Sequence, residues 1–185
     1  MNPITDSVQV SIPGVVVFSP NLIKDKRGAF IKTYQEVVFR SHGISFISKE
    51  EFFTVSNPYV IRGMHFQAPP YEHAKIVTCL SGRILDVLLD IRFSSKTYGK
   101  SFAIEMSGSQ PRVIYIPSGI AHGFCVLGEE KAVVHYRVNS PHVPSHDHGI
   151  LWNSFDFDWP FLNPIISDRD IALPKFCNFK NPFLG

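Results

Sequence analysis

Apolar and polar positions alternate along this chain in short runs, nearly all of them closed by Gly, Pro, Ser or Asn. "VQVSI" and "GVVVF" open it, and "GAFIKTYQ" follows the turn "KDKRG". Then come "ISFIS", "EEFFTVS", "YVIRGMHF", "AKIVTCL", "GRILDVLLDIR", "SFAIEMS", "RVIYIP", "HGFCVLG" and "KAVVHYRVN". Period-two alternation of this length predicts strands rather than helices. Roughly ten short strands at such spacing predict an all-β sandwich or barrel, most economically a jelly roll. The one short helix predicted outside the tail is "EVVFRSHG", residues 36–43.

From Pro141 onward the alternation fades into a Pro-, His- and aromatic-rich tail, residues 141–185. Trp152, Phe155, Phe157, Trp159 and Phe161 make that segment too apolar to stay solvated, so it is expected to pack over the barrel. No repeat or linker interrupts the sequence, and residues 1–185 read as one domain with a structured extension.

Composition narrows the function. The hydrophobic share of 44% against 18% charged residues is that of a globular chain. A net charge of +2 is too mild for a nucleic-acid surface and fits a small anionic ligand better. No apolar run approaches membrane-spanning length, and "MNPITDSVQV" has neither the basic start nor the apolar core of a signal peptide. Cys79, Cys125 and Cys177 are widely spaced, which predicts reduced thiols in a cytoplasmic protein rather than disulfides or a metal centre.

Candidate chemistry gathers in "VIRGMHFQAPPYEHAKIV", residues 60–77. Strand alternation puts His65 and Gln67 on one face, and Arg62 on the other unless a bulge re-aims it. For Lys75 the pattern leaves the inward face open. Glu72 and His73 read as the polar shoulder of a Pro-Pro turn, and His135, His142, His146 and His148 as surface or tail residues. In "LDVLLDIR", Asp86, Asp90 and Arg92 share a face in a pairing more often structural than catalytic. Pro117, Gly119 and His122 in "IPSGIAHGF" resemble the second motif of the cupin superfamily, jelly rolls that often bind metal. The first motif is defective for metal, however, because position 67 is Gln where a second histidine is needed.

"KRGAFIKTY", "VIRGMHFQ", "AKIVTCLSGRILDVLLDIRFSSKTYGK", "IPSGIAHGFCVL", "GILWN" and "ISDRDIALP" occur in order over nearly the whole chain. Together they resemble the nucleotide-sugar epimerases typified by dTDP-4-dehydrorhamnose 3,5-epimerase, metal-independent dimers of the cupin superfamily. The resemblance implies a cupin-type jelly roll and a homodimer that needs neither metal nor cofactor. It implies a substrate in which a 4-keto-6-deoxy sugar is carried on a nucleoside diphosphate. The ketone acidifies its neighbouring carbons, so a base, an oxyanion stabiliser and an acid across the ring invert C3, with C5 left open. His65 matches the family's base, Asp170 its orienting carboxylate, Lys75 the cation at the enolate and Tyr136 the acid. Arg62 and His122 match substrate-contacting positions, and Arg27, Gln67, Asp147 and Arg169 are candidates for the pocket and its rim. Arginine suits the diphosphate because its planar fork grips two oxygens at once.

Three departures bear on the substrate. Lys32 stands where the family commonly has an acid, "EEFF" (50–53) where it has Gln-Asp-Asn, and "SPHVP" where it often has a tyrosine pair. dTDP is the first choice of nucleotide, with GDP and CDP open. The alternatives are a 4-keto nucleotide-sugar 3,4-ketoisomerase and a sugar-binding cupin without turnover. The destination of such a sugar would be a surface polysaccharide or a glycosylated metabolite.

Overall fold

The computed structural model describes residues 4–184, with side chains from Ser7. Thirteen strands run along it: β1 (Ile4–Gln9), β2 (Val16–Pro20), β3 (Leu22–Asp25), β4 (Gly28–Ile31), β5 (Glu50–Ser56), β6 (Ile61–Gln67), β7 (Lys75–Ser81), β8 (Arg83–Asp90), β9 (Ser101–Ser107), β10 (Val113–Ile116), β11 (Ile120–Leu127), β12 (Ala132–Val138) and β13 (Asp147–Gly149). Helices are short: α1 (Glu36–Ser41) and, in the tail, α2 (Asp168–Ile171). Two antiparallel sheets face each other, ordered β1-β2-β10-β7-β12-β5 and β13-β6-β11-β8-β9, while β3 and β4 form a separate ribbon. This is a cupin-type jelly roll.

The core is layered. Between the sheets, Val17, Val77, Ile84, Leu88, Ile114, Phe124, Val126 and Val134 are buried together. Helix α1 covers the outer face of the six-stranded sheet, placing Val38 and Phe39 against Val16, Phe18 and Ile76. Phe155, Phe157, Trp159, Phe176, Phe179 and Phe183 of the tail pack on Met64, Phe66, Val87 and Leu89 across the other sheet. Both faces of β8 are therefore apolar, which is why its central "VLL" breaks the alternation.

Some expected boundaries move. "ISFIS" is not a strand: Ile44 and Phe46 alternate inward into the cluster with Phe39 without joining a sheet. "GAFIKTYQ" pairs only over Gly28–Ile31, and its partner β3 lies where the sequence suggested only a turn. The first strand begins earlier than "VQVSI", and the predicted helix closes at Ser41.

One irregularity sets the site. In the β6–β11 pairing, His122 opposes His65 and Phe124 opposes Arg62, so β6 carries one extra residue between its partners. This bulge centres on Gly63, whose φ of 123° is a conformation open to glycine. A Cβ there would stand 2.5 Å from Gly123 Cα, so both glycines let the strands close up. The extra residue turns Arg62 to the same side as His65.

Candidate active site

A cavity of about 280 Å³ opens between the sheets, lined by Phe52, Thr54, Arg62, His65, His73, Lys75, His122, Tyr136, Val138, His142, Asp147 and Arg169 among others. Larger hollows exist, such as one of about 430 Å³ bounded by Leu80–Arg83 and Leu127–Glu130. The smaller one is the site candidate because it brings His65, Lys75, His122 and Tyr136 together with Asp147 and Arg169.

One wall is the five-stranded sheet. His65 on β6 is partly exposed to the cavity, and its Nε2 lies 2.7 Å from Asp170 Oδ1. Asp170 comes from α2, where Ser167 caps the helix by accepting from the Asp170 N–H. Its second oxygen accepts the Gly63 N–H at 3.1 Å, so the bulge also anchors the carboxylate. Burial alone would raise the Asp170 carboxyl, but the bonds from His65 and Gly63 and the charge of Arg169 outweigh it and hold it below the usual range. An ionised carboxylate only accepts, so Nε2 carries the proton and Nδ1 keeps a lone pair. This leaves His65 able to accept a proton from whatever occupies the cavity.

Beside it on β11, His122 is buried and its Nε2 donates to Asp86 Oδ2 at 2.8 Å. Burial pulls the His122 imidazole below its ordinary pKa, with Asp86 opposing the shift. Asp86 is inaccessible, and its Oδ1 has no hydrogen-bond partner.

The facing wall is the six-stranded sheet. Tyr136 on β12 is buried, stacked on Phe52 of β5 with ring centroids 4.9 Å apart, and edge-on to His122 at 6.0 Å. Burial first, then the charge of Asp86, raises its phenol well above the ordinary tyrosine pKa, so the hydroxyl stays a donor. Lys75 heads β7, next to β12, and its Nζ donates to the His65 carbonyl at 3.2 Å. Burial pulls its ammonium down to about 8, resisted by Asp147 and Asp86. At the rim, Arg169 and Asp147 pair at 2.8 Å, and Arg62 Nε donates to Ser56 Oγ at 2.9 Å.

Proton acceptor and phenolic donor thus stand on opposite walls with an ammonium between them. That arrangement suits removal of a proton from one face of a planar carbanion and delivery to the other.

Eight of the ten residues named from sequence meet here: His65, Lys75, Tyr136, Arg62, His122, Asp147 and Arg169 line the cavity, and Asp170 stands behind His65. Two do not. Gln67 is buried away from it, with its amide donating to the Tyr71 and Pro141 carbonyls and accepting from the Val143 N–H. It ties the Pro-Pro turn to the tail. Arg27 sits at the tip of the β3–β4 ribbon, paired with Asp25 at 2.6 Å and largely exposed, because that ribbon joins neither main sheet. Asp90 is likewise structural, gripping Arg92, Ser95 and Thr97.

Sequence reasoning misses His73 and His142. Both line the cavity, and His73 is no solvated shoulder. Residue parity holds a usable signal, since His73 stands two residues ahead of Lys75 and so shares its face. Two of the three departures from the family pattern also border the cavity, through Phe52 and His142.

The chain is similar to known proteins along most of its length. The family model for dTDP-4-dehydrorhamnose 3,5-epimerase matches residues 9–178. The dTDP-4-dehydrorhamnose 3,5-epimerase of Shigella flexneri is 37% identical over 174 residues, covering 91% of this chain and 94% of that protein. A dTDP-6-deoxy-D-glucose-3,5-epimerase from Legionella pneumophila, solved with dTDP-4-keto-L-rhamnose, superposes with a TM-score of 0.91 at 28% identity over 97% of this chain and 96% of its own. A 3'-monoepimerase from Streptomyces bikiniensis, solved with dTDP-quinovose, gives 0.85 at 27% identity over 91% and 86%. By sequence along nearly its whole length and by its jelly-roll fold, this chain belongs to the dTDP-4-dehydrorhamnose 3,5-epimerase family of isomerases.

Proposed function

We propose that this cavity inverts carbon 3 of a 4-keto-6-deoxy sugar carried on a nucleoside diphosphate, with dTDP as the nucleotide. The observation that carries the reading is the His65–Asp170 pair facing Tyr136 across the cavity, with Lys75 between them. His65 Nδ1 takes the acidic C3 hydrogen, and Asp170 steadies the imidazolium that forms. The electron pair moves onto the ketone oxygen, where the Lys75 ammonium meets the developing enolate. Tyr136 then gives its phenolic proton to C3 from the other wall, and the carbon is inverted. Arg62 and Arg169 supply the cations that a diphosphate requires.

The substrate class is supported by the dTDP sugars in the two solved relatives. The test is incubation with dTDP-4-keto-6-deoxyglucose in D₂O. Deuterium is expected at C3 with the ketone unmoved, and deuterium at C5 would extend the reaction to that centre. Migration of the ketone would identify a 3,4-ketoisomerase, and absence of exchange above a His65→Ala control would leave a binding protein.

Residues 1–185 are read as one catalytic unit that works as a cytoplasmic homodimer. Exposed apolar side chains on the edge strand β5 (Phe53, Val55) and on the β3–β4 ribbon (Ile23, Phe30) support pairing between copies. No described helix is long and apolar enough to cross a membrane. Light scattering reads the mass, and a monomer at micromolar concentration would overturn the dimer.

A further inference from the structure

The direction of the Tyr136 hydroxyl is set by what holds its ring. In the sheet register Tyr136 lies directly opposite Val77 of β7 on one side and Phe52 of β5 on the other. Val77 is inaccessible, and His122, edge-on to the phenol at 6.0 Å, is buried, so both belong to the fixed interior. Phe52 differs from them. It is 45% exposed, on a strand at the edge of the sheet, and it lines the cavity. Its ring lies only 16° from parallel to the phenol, with centroids 4.9 Å apart, while Tyr136 itself is 7% exposed. Phe52 is therefore the half-open side of an otherwise closed cage around the phenol. A stack of this kind favours one ring orientation by roughly two- to ten-fold. Proton delivery to carbon is sensitive to such orientation, since a misplacement of about 1 Å can cost about 10²-fold.

We propose that Phe52 is a positioning residue for the reaction: stacked on Tyr136, it holds the phenol in the orientation from which its proton reaches C3. This rests on the reading of Tyr136 as the acid on the wall opposite His65. His65, with Asp170 behind it, stands on the other sheet, so removal of the C3 hydrogen does not depend on the stack.

An aromatic pair that only stabilised the sheet edge would change the melting temperature and leave the fate of the carbanion alone. Phe52→Leu keeps an apolar side chain and deletes the ring. With dTDP-4-keto-6-deoxyglucose in D₂O, F52L should exchange the C3 hydrogen within about two-fold of the wild-type rate while inversion slows about ten-fold. Exchanged but uninverted sugar then accumulates, with KM within about two-fold of wild type. Phe52→Trp keeps a stacking ring and should restore the wild-type ratio of inversion to exchange. Should leucine not be accommodated, Phe52→Met carries the same test. Equal losses of exchange and inversion in F52L overturn the assignment, as does a raised KM with that ratio unchanged, or F52W being as impaired as F52L. Crystal structures of wild type and F52L read the same point without substrate. The Tyr136 ring should shift or divide between two orientations in F52L, and an undisturbed phenol overturns the proposal. Absence of deuterium exchange in the wild type would instead overturn the reading of the reaction itself.

Discussion

Asp170 holds His65 and Gly63 at once: one carboxylate oxygen lies 2.7 Å from His65 Nε2 and the other takes the Gly63 N–H at 3.1 Å. The same side chain therefore fixes the imidazole's tautomer and pins the bulge that turns Arg62 into the cavity. Asp170→Asn keeps the shape but offers an amide N–H or a neutral carbonyl where an ionised acceptor stood. By analogy with other histidine–carboxylate pairs, kcat should fall by roughly 10²–10⁴-fold. The carboxyl is depressed in the folded protein, so its stabilising contribution is complete above the unfolded-state pKa and is lost as pH falls through the lower folded value. Acid unfolding of wild type and D170N should converge in that window. An Asn variant with near wild-type kcat would remove Asp170 from the proposed machinery.

Lys75 predicts opposite trends for activity and stability in alkali. Its ammonium is charged below about 8 and neutral above, so kcat should fall as pH rises through that value. Folded-state depression means the unfolded chain binds more protons between about 8 and 10.5, so stability rises over the same interval. The buried charge costs the fold on the order of 3 kcal/mol at neutral pH. Lys75→Met should raise the melting temperature while lowering kcat by about 10²–10³-fold. Kinetics from pH 6 to 10 beside thermal melts would check both, and a lower melting point for K75M would contradict a net cost of burying that charge.

The legible parts of this chain are those whose chemistry and periodicity agree. Strands β6 and β7 can be drawn from alternation; His65 comes with the Arg-Gly-x-His motif, whereas Lys75, whose face alternation leaves open, comes through the resemblance. Arg62 is the ambiguous one, because a bulge at Gly63 shifts parity by one and alternation alone does not reveal a bulge. Gln67 illustrates the converse: it does lie two residues from His65 on the same strand, yet its amide is consumed by the backbone of the turn and tail. His73 escapes sequence reasoning because a Pro-Pro turn normally sits in solvent, whereas this one leads straight into the cavity wall beside the tail residue His142. In the tail, β13 and α2 are too short to carry a period, so Asp147 and Asp170 are visible only through resemblance.

The His122–Asp86 pair should be far more sensitive to losing one member than both. Asp86 is fully buried and already has one unpaired oxygen, so His122→Ala removes the imidazole that pairs its other oxygen. The expected destabilisation is about 3–5 kcal/mol. Replacing both members with apolar residues, as in D86L/H122F, should recover most of it. A double-mutant cycle by urea denaturation measures the coupling, and additive single losses would show that the two groups act independently.

Tyr136→Phe separates removal of the proton from its return. The phenol's ring is stacked on Phe52 at 4.9 Å, and phenylalanine preserves that stack while deleting only the hydroxyl. The base on the opposite wall, His65 with Asp170 behind it, is untouched. The variant should still abstract the C3 hydrogen, and the imidazolium, once exchanged with D₂O, should return deuterium to the face it came from. Deuterium would then enter C3 with retention, while inversion falls by about 10²–10⁴-fold. The proportion of exchanged but uninverted sugar, read by proton NMR, is the decisive quantity. If exchange and inversion fall together, Tyr136 is needed before the carbanion forms. If inversion persists at the wild-type rate, another group on that wall supplies the proton.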